Sequence, residues 1–183
     1  MSAGQPTHHE QAAEFARHDA IRCTVLTVSD TRTLDDDSSG DLICEQLNAH
    51  NLQCVDRAIV RDDPQSISHQ LELWLRRDDV DAILTTGGTG IAQRDTTIEI
   101  VNRLIDKRLD GFGELFRMLS YEQVQSAAML SRATAGLYVG GPDAGTDTFL
   151  FAMPGSRNAV ALAMEKLIMP ELPHLAWERA KQL

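Results

Sequence analysis

Three times between Arg22 and Ile105 a short apolar run gives way to a stretch whose apolar residues recur at helical spacing, an alternation that few folds satisfy. Cys23-Thr24-Val25-Leu26-Thr27-Val28 is rich in β-branched residues and reads as a strand buried on both faces. Asp37-Ser38-Ser39-Gly40 then opens a segment with Leu42, Ile43 and Leu47, a helix with a Ser or Asp cap that closes near His50-Asn51. A strand from Cys54 to Val60 follows. Asp62-Asp63-Pro64 starts the next helix, because Pro64 suits the first helical position and Ile67, Leu71, Trp74 and Leu75 share one face. Asp81 to Thr86 is the third strand, and a helix starting near Thr96 carries Ile98, Val101, Leu104 and Ile105. The expectation is an α/β fold with three layers, α/β/α, around a mostly parallel central sheet.

The second half of the chain departs from this rhythm. A helical stretch beginning near Glu114 leads into a short antiparallel hairpin. Its strands are about Ala133 to Val139 and Thr148 to Met153, joined by Gly140-Gly141-Pro142-Asp143-Ala144-Gly145. Pro154-Gly155-Ser156 turns the chain into a last helix with Val160, Ala163 and Leu167 on one face, which Pro170 or Pro173 interrupts. Residues 1–20, with His8-His9, lack periodicity and read as a flexible arm. A chain of 183 residues can bury one core and is short for two, so 21–183 is expected to form a single domain.

The formal charge is −10 and the Lys and Arg residues are scattered, which argues against a nucleic-acid partner. If the ligand is anionic, backbone N–H groups, a few arginines or a divalent cation must offset the protein's own field. No apolar run approaches the roughly 18 residues of a membrane helix, and Met1 to Asp19 has no signal-peptide centre. No membrane association and a cytoplasmic location are expected. Cys23, Cys44 and Cys54 are odd in number, lack C-x-x-C spacing and lie in apolar segments, so they read as reduced core or near-core thiols without a metal or redox role.

In open parallel sheets ligands bind beyond the carboxyl ends of the strands, so the loops after Val28, Val60, Thr86 and Met153 should share one rim. The third loop is Thr85-Thr86-Gly87-Gly88-Thr89-Gly90, followed by Arg94-Asp95. Its glycines let an anion approach backbone N–H groups at a helix N-terminus, or they only make a tight strand-to-helix turn. The pattern is neither the P-loop nor the dinucleotide fingerprint. Arg94 suits a phosphate charge, and Asp95 suits Mg²⁺ or a helix cap. Asp62 suits a metal or substrate, or the start of its own helix. Asp30, Asp37 and Asp41 read singly as a solvated acidic face. Gly111-Phe112-Gly113-Glu114 is either a flexible turn open to a ligand or helix punctuation around a core phenylalanine. Ser156 offers a hydroxyl or backbone N–H to a ligand, or caps the helix it precedes.

Taken together, these blocks resemble the MoaB/MogA family of molybdenum cofactor biosynthesis proteins, related to the G domain of gephyrin. The resemblance rests on Thr27-Val28-Ser29-Asp30, Asp37-Ser38-Ser39-Gly40, the glycine motif with Arg94-Asp95, Gly111-Phe112-Gly113-Glu114 and Met153-Pro154-Gly155-Ser156. It spans about Arg22 to Leu172. Leu115-Phe116-Arg117-Met118-Leu119-Ser120 and Phe151-Ala152-Met153 look more like the MoaB branch.

The resemblance implies a domain that binds molybdopterin and, in active members, adenylylates its terminal phosphate from ATP with Mg²⁺, releasing pyrophosphate. Asp62 and Asp95 match the family's two essential carboxylates, which would hold the Mg²⁺. Thr86, Gly87, Gly88, Thr89 and Gly90 match the segment that meets the ligand's phosphates, with Arg94 beside it. Ser29, Asp30, Ser39, Gly113, Glu114, Pro154, Gly155 and Ser156 match the rim. The family pattern R-D-x-T-P-E reads here as Arg94-Asp95-Thr96-Thr97-Ile98-Glu99, with isoleucine for proline and no polar group lost. A homo-oligomer, trimer or hexamer built as a dimer of trimers, is implied as well. The alternative within the family is a non-catalytic molybdopterin-binding or carrier paralogue. Outside it, the alternative is a flavodoxin-like signalling module, for which no lysine is placed to partner the acid cluster.

Overall fold

The structure, a computed structural model, describes residues 20–50, 52–141 and 145–181, together with Thr7 and Gln11. The expected N-terminal arm apart from Thr7, Gln11 and Ala20, the residue Asn51 and the hairpin-turn residues Pro142 to Ala144 lie outside the described residues.

Six strands form one sheet in the order β2-β1-β3-β6-β5-β4. β1 (Arg22–Val28), β2 (Gln53–Val60), β3 (Ala82–Thr86) and β6 (Thr148–Met153) run parallel, whereas β5 (Thr134–Tyr138) and β4 (Lys107–Arg108) are antiparallel at one edge. The central strands are buried on both faces, as their continuous apolar runs require, and side chains alternate between two cores. Cys23, Val25, Ala82, Leu84, Phe149, Phe151 and Met153 pack in one cluster. Leu26, Val28, Ile83, Leu150 and Ala152 pack in the other. The first layer of helices is α1 (Ser38–Ala49), α4 (Asp110–Val124) and the C-terminal helix; the second is α2 (Pro64–Leu75) and α3 (Thr97–Leu104). The three-layer expectation holds. So does the face predicted for α2, whose buried residues are Ile67, Leu71, Trp74 and Leu75.

Three local expectations need correction, and one short strand has no counterpart among them. First, α4 begins at Asp110, not near Glu114, so Gly111-Phe112-Gly113-Glu114 is helical rather than a flexible turn. Phe112 is the core plug, set edge-on against Phe151 with ring centroids 5.4 Å apart. A Cβ on Gly113 would lie 2.7 Å from Ala133 O, so helix and β5 approach too closely for any larger residue. The short strand is β4, which has only two residues, too few to leave a periodicity in the sequence.

Second, neither Pro170 nor Pro173 interrupts the last helix. α5 (Arg157–Ala163) continues through a π-helical segment, Met164–Ile168, into α6 (Met169–Ala180). The wide turn ends just before Pro170, where an α-helical carbonyl four residues back would meet the proline ring. Third, Asp37 is buried, not solvated. It caps α1 by accepting from Gly40 N–H at 3.0 Å, and its Oδ2 accepts from Thr27 Oγ1 at 2.6 Å and Arg57 Nη2 at 2.8 Å. Burial alone would raise its pKa, but these donors together hold it below the usual carboxylate value.

Ile98, which stands where the family pattern has proline, is buried near the start of α3 in the second core. Its side chain is therefore part of the packing.

Candidate functional site

The loops after β1, β2, β3 and β6 meet at the carboxyl rim through backbone contacts. Ser29 N–H donates to Val60 O at 2.9 Å, and Gly87 N–H donates to Met153 O at 3.2 Å. Thr86 Oγ1 donates to Pro154 O, and Ser39 Oγ donates to Gly155 O. Gly87, at φ +93°, passes so near β1 that a Cβ would sit 2.3 Å from Val28 O. Gly88, at φ +60°, would place one 2.8 Å from Asp62 Oδ1. Both positions demand glycine for backbone conformation and for space. The turn requirement is thus real, and the same turn brings the glycine loop onto Asp62.

Neither proposed capping role for the two key aspartates is realised. Asp63, not Asp62, caps α2, accepting from Gln65 and Ser66 N–H through its Oδ1. Asp95 accepts from Ala92 N–H at 2.8 Å through Oδ2, closing the loop on itself, and α3 has no side-chain cap. Asp62 N–H donates to Asp30 Oδ1 at 3.2 Å, and Asp30 Oδ2 pairs with Arg94 Nη1 at 3.1 Å. Asp30 therefore bridges the second loop to the glycine loop.

Asp62 Oδ1 is buried without a hydrogen-bond partner, as are Thr96 Oγ1 and Thr97 Oγ1 at the start of α3. Burial raises the Asp62 pKa first, and the like charges of Asp95 and Asp30 raise it further, with Arg94 only partly opposing them. Here the chain assembles negative charge beside an anion-friendly loop and leaves it incompletely neutralised. Such a set of groups suits a cation shared with an anionic ligand.

Arg132 is the residue that sequence reasoning missed. From the segment before β5, its Nε donates to Thr89 O at 2.9 Å, and its Nη2 donates to Gly90 O at 2.6 Å and Asp95 O at 3.2 Å. Its Nη1 meets Glu99 Oε1 at 2.5 Å. One guanidinium thus ties down the loop's backbone at three carbonyls. A single arginine distant in sequence, with no motif around it, left no signal.

The other expected rim residues are less concentrated. Ser29 Oγ accepts from Thr31 and Arg32 N–H and shapes its own loop, and Ser156 Oγ accepts from Ala159 N–H as the cap of α5. Gly113 and Glu114 lie instead in a pocket of about 220 Å³ shared with Arg108, Asp110, Arg117 and Thr134. None of the glycine-loop residues lines that pocket. Two of its lining residues, Ala133 and Thr134, directly follow Arg132, which binds the glycine loop.

Residues 24–174 match the protein family described as "Probable molybdopterin binding domain". Molybdenum cofactor biosynthesis protein B of Staphylococcus carnosus is 54% identical over 164 residues, covering 88% of this chain and 92% of that protein. Among solved structures, a molybdenum cofactor biosynthesis protein B superposes with TM-score 0.83 at 47% identity, covering 90% of this chain and 98% of that one. The tungsten cofactor synthesizing protein MoaB from Pyrococcus furiosus superposes with TM-score 0.78 at 38% identity, covering 87% and 97%.

Proposed function

This chain belongs to the molybdopterin-binding-domain family of molybdenum cofactor biosynthesis proteins, and we propose that it binds molybdopterin at the glycine-loop rim and adenylylates the terminal phosphate from Mg-ATP. The observation that carries this reading is the unpartnered Asp62 Oδ1, buried against Gly88 and set among the like charges of Asp95 and Asp30. An orphaned carboxylate oxygen in that setting fits Mg²⁺. Among the described residues no group of three or more His, Cys, Asp or Glu is placed to hold a metal alone. That suits Mg²⁺, which commonly takes one or two carboxylates and completes its shell with substrate phosphates and water. Asp62 and Asp95 would hold it, and bound there it would neutralise triphosphate charge.

In the proposed reaction a phosphate oxygen of molybdopterin attacks the α-phosphorus of ATP. The bond from that phosphorus to the β-phosphate bridging oxygen breaks, and pyrophosphate leaves. The protein supplies no nucleophile; it orients two anions and stabilises charge between them. The glycine loop offers N–H groups to phosphate oxygens. Arg94, highly exposed and paired with Asp30, is a cation able to exchange that partner for a phosphate.

An oligomer, trimeric or hexameric as the family resemblance implies, is part of this reading. It is supported by Leu115, Met118, Tyr121 and Val124, exposed at three-residue intervals along α4, and by Met129 and Leu130 just beyond it. Among the described residues no helix is long and apolar enough to cross a membrane.

The test is to incubate purified protein with molybdopterin and Mg-ATP and measure pyrophosphate and the adenylylated product. Stoichiometric molybdopterin binding without ATP-dependent pyrophosphate release would instead establish the non-catalytic binding or carrier role.

A further inference from the structure

The three cysteines come together at the opposite end of the molecule from the rim. Cys23 on β1 and Cys54 on β2 are register partners, and Cys44 reaches down from α1 until its Sγ lies 2.7 Å from Cys54 Sγ. The register between β1 and β2 shifts just after this pair, so that Cys23 faces Cys54 while Thr24 faces Asp56. Skipping Val55 in this way puts Cys54 and Arg57 on the same side of the strand, beneath α1, where Arg57 binds Asp37 and Asp41. β2 is the edge strand of the sheet, and both Cys44 and Cys54 are only half-buried, whereas Cys23 is fully enclosed.

We propose that Cys44 and Cys54 form a reversible dithiol–disulfide couple, oxidised by hydroperoxides, that clips α1 to the edge strand β2. The two sulfurs are already in contact across a short connection, so forming the bond requires little chain closure. Their surroundings divide the labour. The hydrogen bond from Cys44 lowers the Cys54 pKa against its burial, with Arg57 helping, and the same hydrogen bond holds Cys44 protonated. Cys54 is then the attacking thiolate. It displaces on the peroxide O–O bond, giving the sulfenic acid and releasing an alcohol, or water from hydrogen peroxide, once the leaving oxygen takes up a proton. Cys44 sulfur next attacks the Cys54 sulfur, the S–O bond breaks, and the departing hydroxide leaves as water with the Cys44 proton. Two thiols lose two electrons and the peroxide is reduced.

Cys23 is excluded from this exchange although it faces Cys54 across the sheet. Its complete burial pushes its thiol well above the ordinary range and shields it from peroxide. The clip acts on the candidate site only indirectly, since α1 also carries Ser39, whose hydroxyl holds Gly155 O at the rim.

The experiment is titration of the full chain with hydrogen peroxide, counting thiols after denaturation and mapping linked peptides by mass spectrometry. The three thiols of the reduced protein should fall to one, with a Cys44–Cys54 linked peptide that disappears on reduction by dithiothreitol. The Cys44→Ser variant should form no intramolecular disulfide, and its Cys54 should gain oxygen atoms instead. Retention of all three thiols while exposed methionines oxidise would overturn the proposal, as would a Cys23–Cys54 link or an intramolecular disulfide in Cys44→Ser. None of these readouts depends on adenylyl transfer.

Discussion

The central sheet holds a shielded carboxylate at each end, in opposite company. At the amino end of β3, Asp81 is 7% exposed in its side chain and accepts from Arg22 Nε at 3.0 Å, Arg22 N–H at 2.9 Å and Arg179 Nη2 at 2.7 Å. At the carboxyl rim Asp62 has an oxygen with no donor and aspartates for neighbours. Burial works against ionisation at both places. At Asp81 the two arginines outweigh it and the pKa falls, whereas at Asp62 the neighbouring charges add to it and the pKa rises. A carboxylate that holds the fold together arrives with its cations, and one kept for a ligand does not. The contrast places Asp81 with the fold and supports the role proposed for Asp62, without reference to any motif.

The strongest way to break this contrast is at the amino end. Asp81→Ala leaves Arg22 and Arg179 facing a void and should lower stability by about 3–5 kcal/mol, read by urea denaturation. A variant as stable as the parent would leave Asp81 no more structural than Asp62. Next comes Asp95→Asn, which can keep the hydrogen bond from Ala92 N–H while removing the charge. Pyrophosphate release should fall by about two to three orders of magnitude with the melting temperature nearly unchanged. Unaltered turnover would remove Asp95 from the reaction.

Gly87→Ala tests the turn that joins β3 to the glycine loop beside Asp62 and Asp95, the two acids proposed to hold Mg²⁺. Its Cβ meets the Val28 carbonyl at a positive φ, so about 2 kcal/mol of stability should be lost, measured by thermal or urea unfolding.

The smallest effect is the most diagnostic. Asp62→Asn should raise stability at neutral pH by up to about 1 kcal/mol, because it removes a charge that the folded state disfavours. The signs run opposite ways for the two acids. Asp81, its folded pKa depressed, contributes stability above the ordinary carboxylate value that is lost as pH falls through the folded value. Asp62, its folded pKa raised, lowers stability as pH rises from the ordinary carboxylate value through the folded one. The gain from Asp62→Asn should therefore vanish in acid. A loss of stability at neutral pH would show Asp62 to be structural after all.

Much of this frame is legible in the sequence because burial on both faces leaves an unmistakable residue pattern. β1, β3 and β6 are bracketed by their apolar runs, and Pro64 marks the start of α2. What escapes is whatever depends on one distant partner. Asp37 looks like part of a solvated acidic loop until Arg57, on another strand, is placed beneath it. Both Asp62 and Asp63 stand just before the helix, and only the path of the chain decides which one caps α2. Pro170 and Pro173 read as a stop because sequence patterns assume α-helical geometry, and a π segment relaxes that assumption. At the site the clustering of loops can be anticipated from topology, but not that Arg94 is engaged by Asp30 or that Gly113 and Glu114 line a separate pocket.

Arg132 carries one more consequence. In a planar trans peptide the carbonyl and the following N–H point in opposite directions. By gathering the carbonyls of Thr89, Gly90 and Asp95 on its own side, the guanidinium turns the amides of Gly90, Ile91 and Thr96 to the other. The loop becomes a polarised ribbon with an oxygen edge and a hydrogen edge. Its orientation is chosen by a residue that lies on the oxygen side and needs no contact with whatever anion meets the hydrogen side.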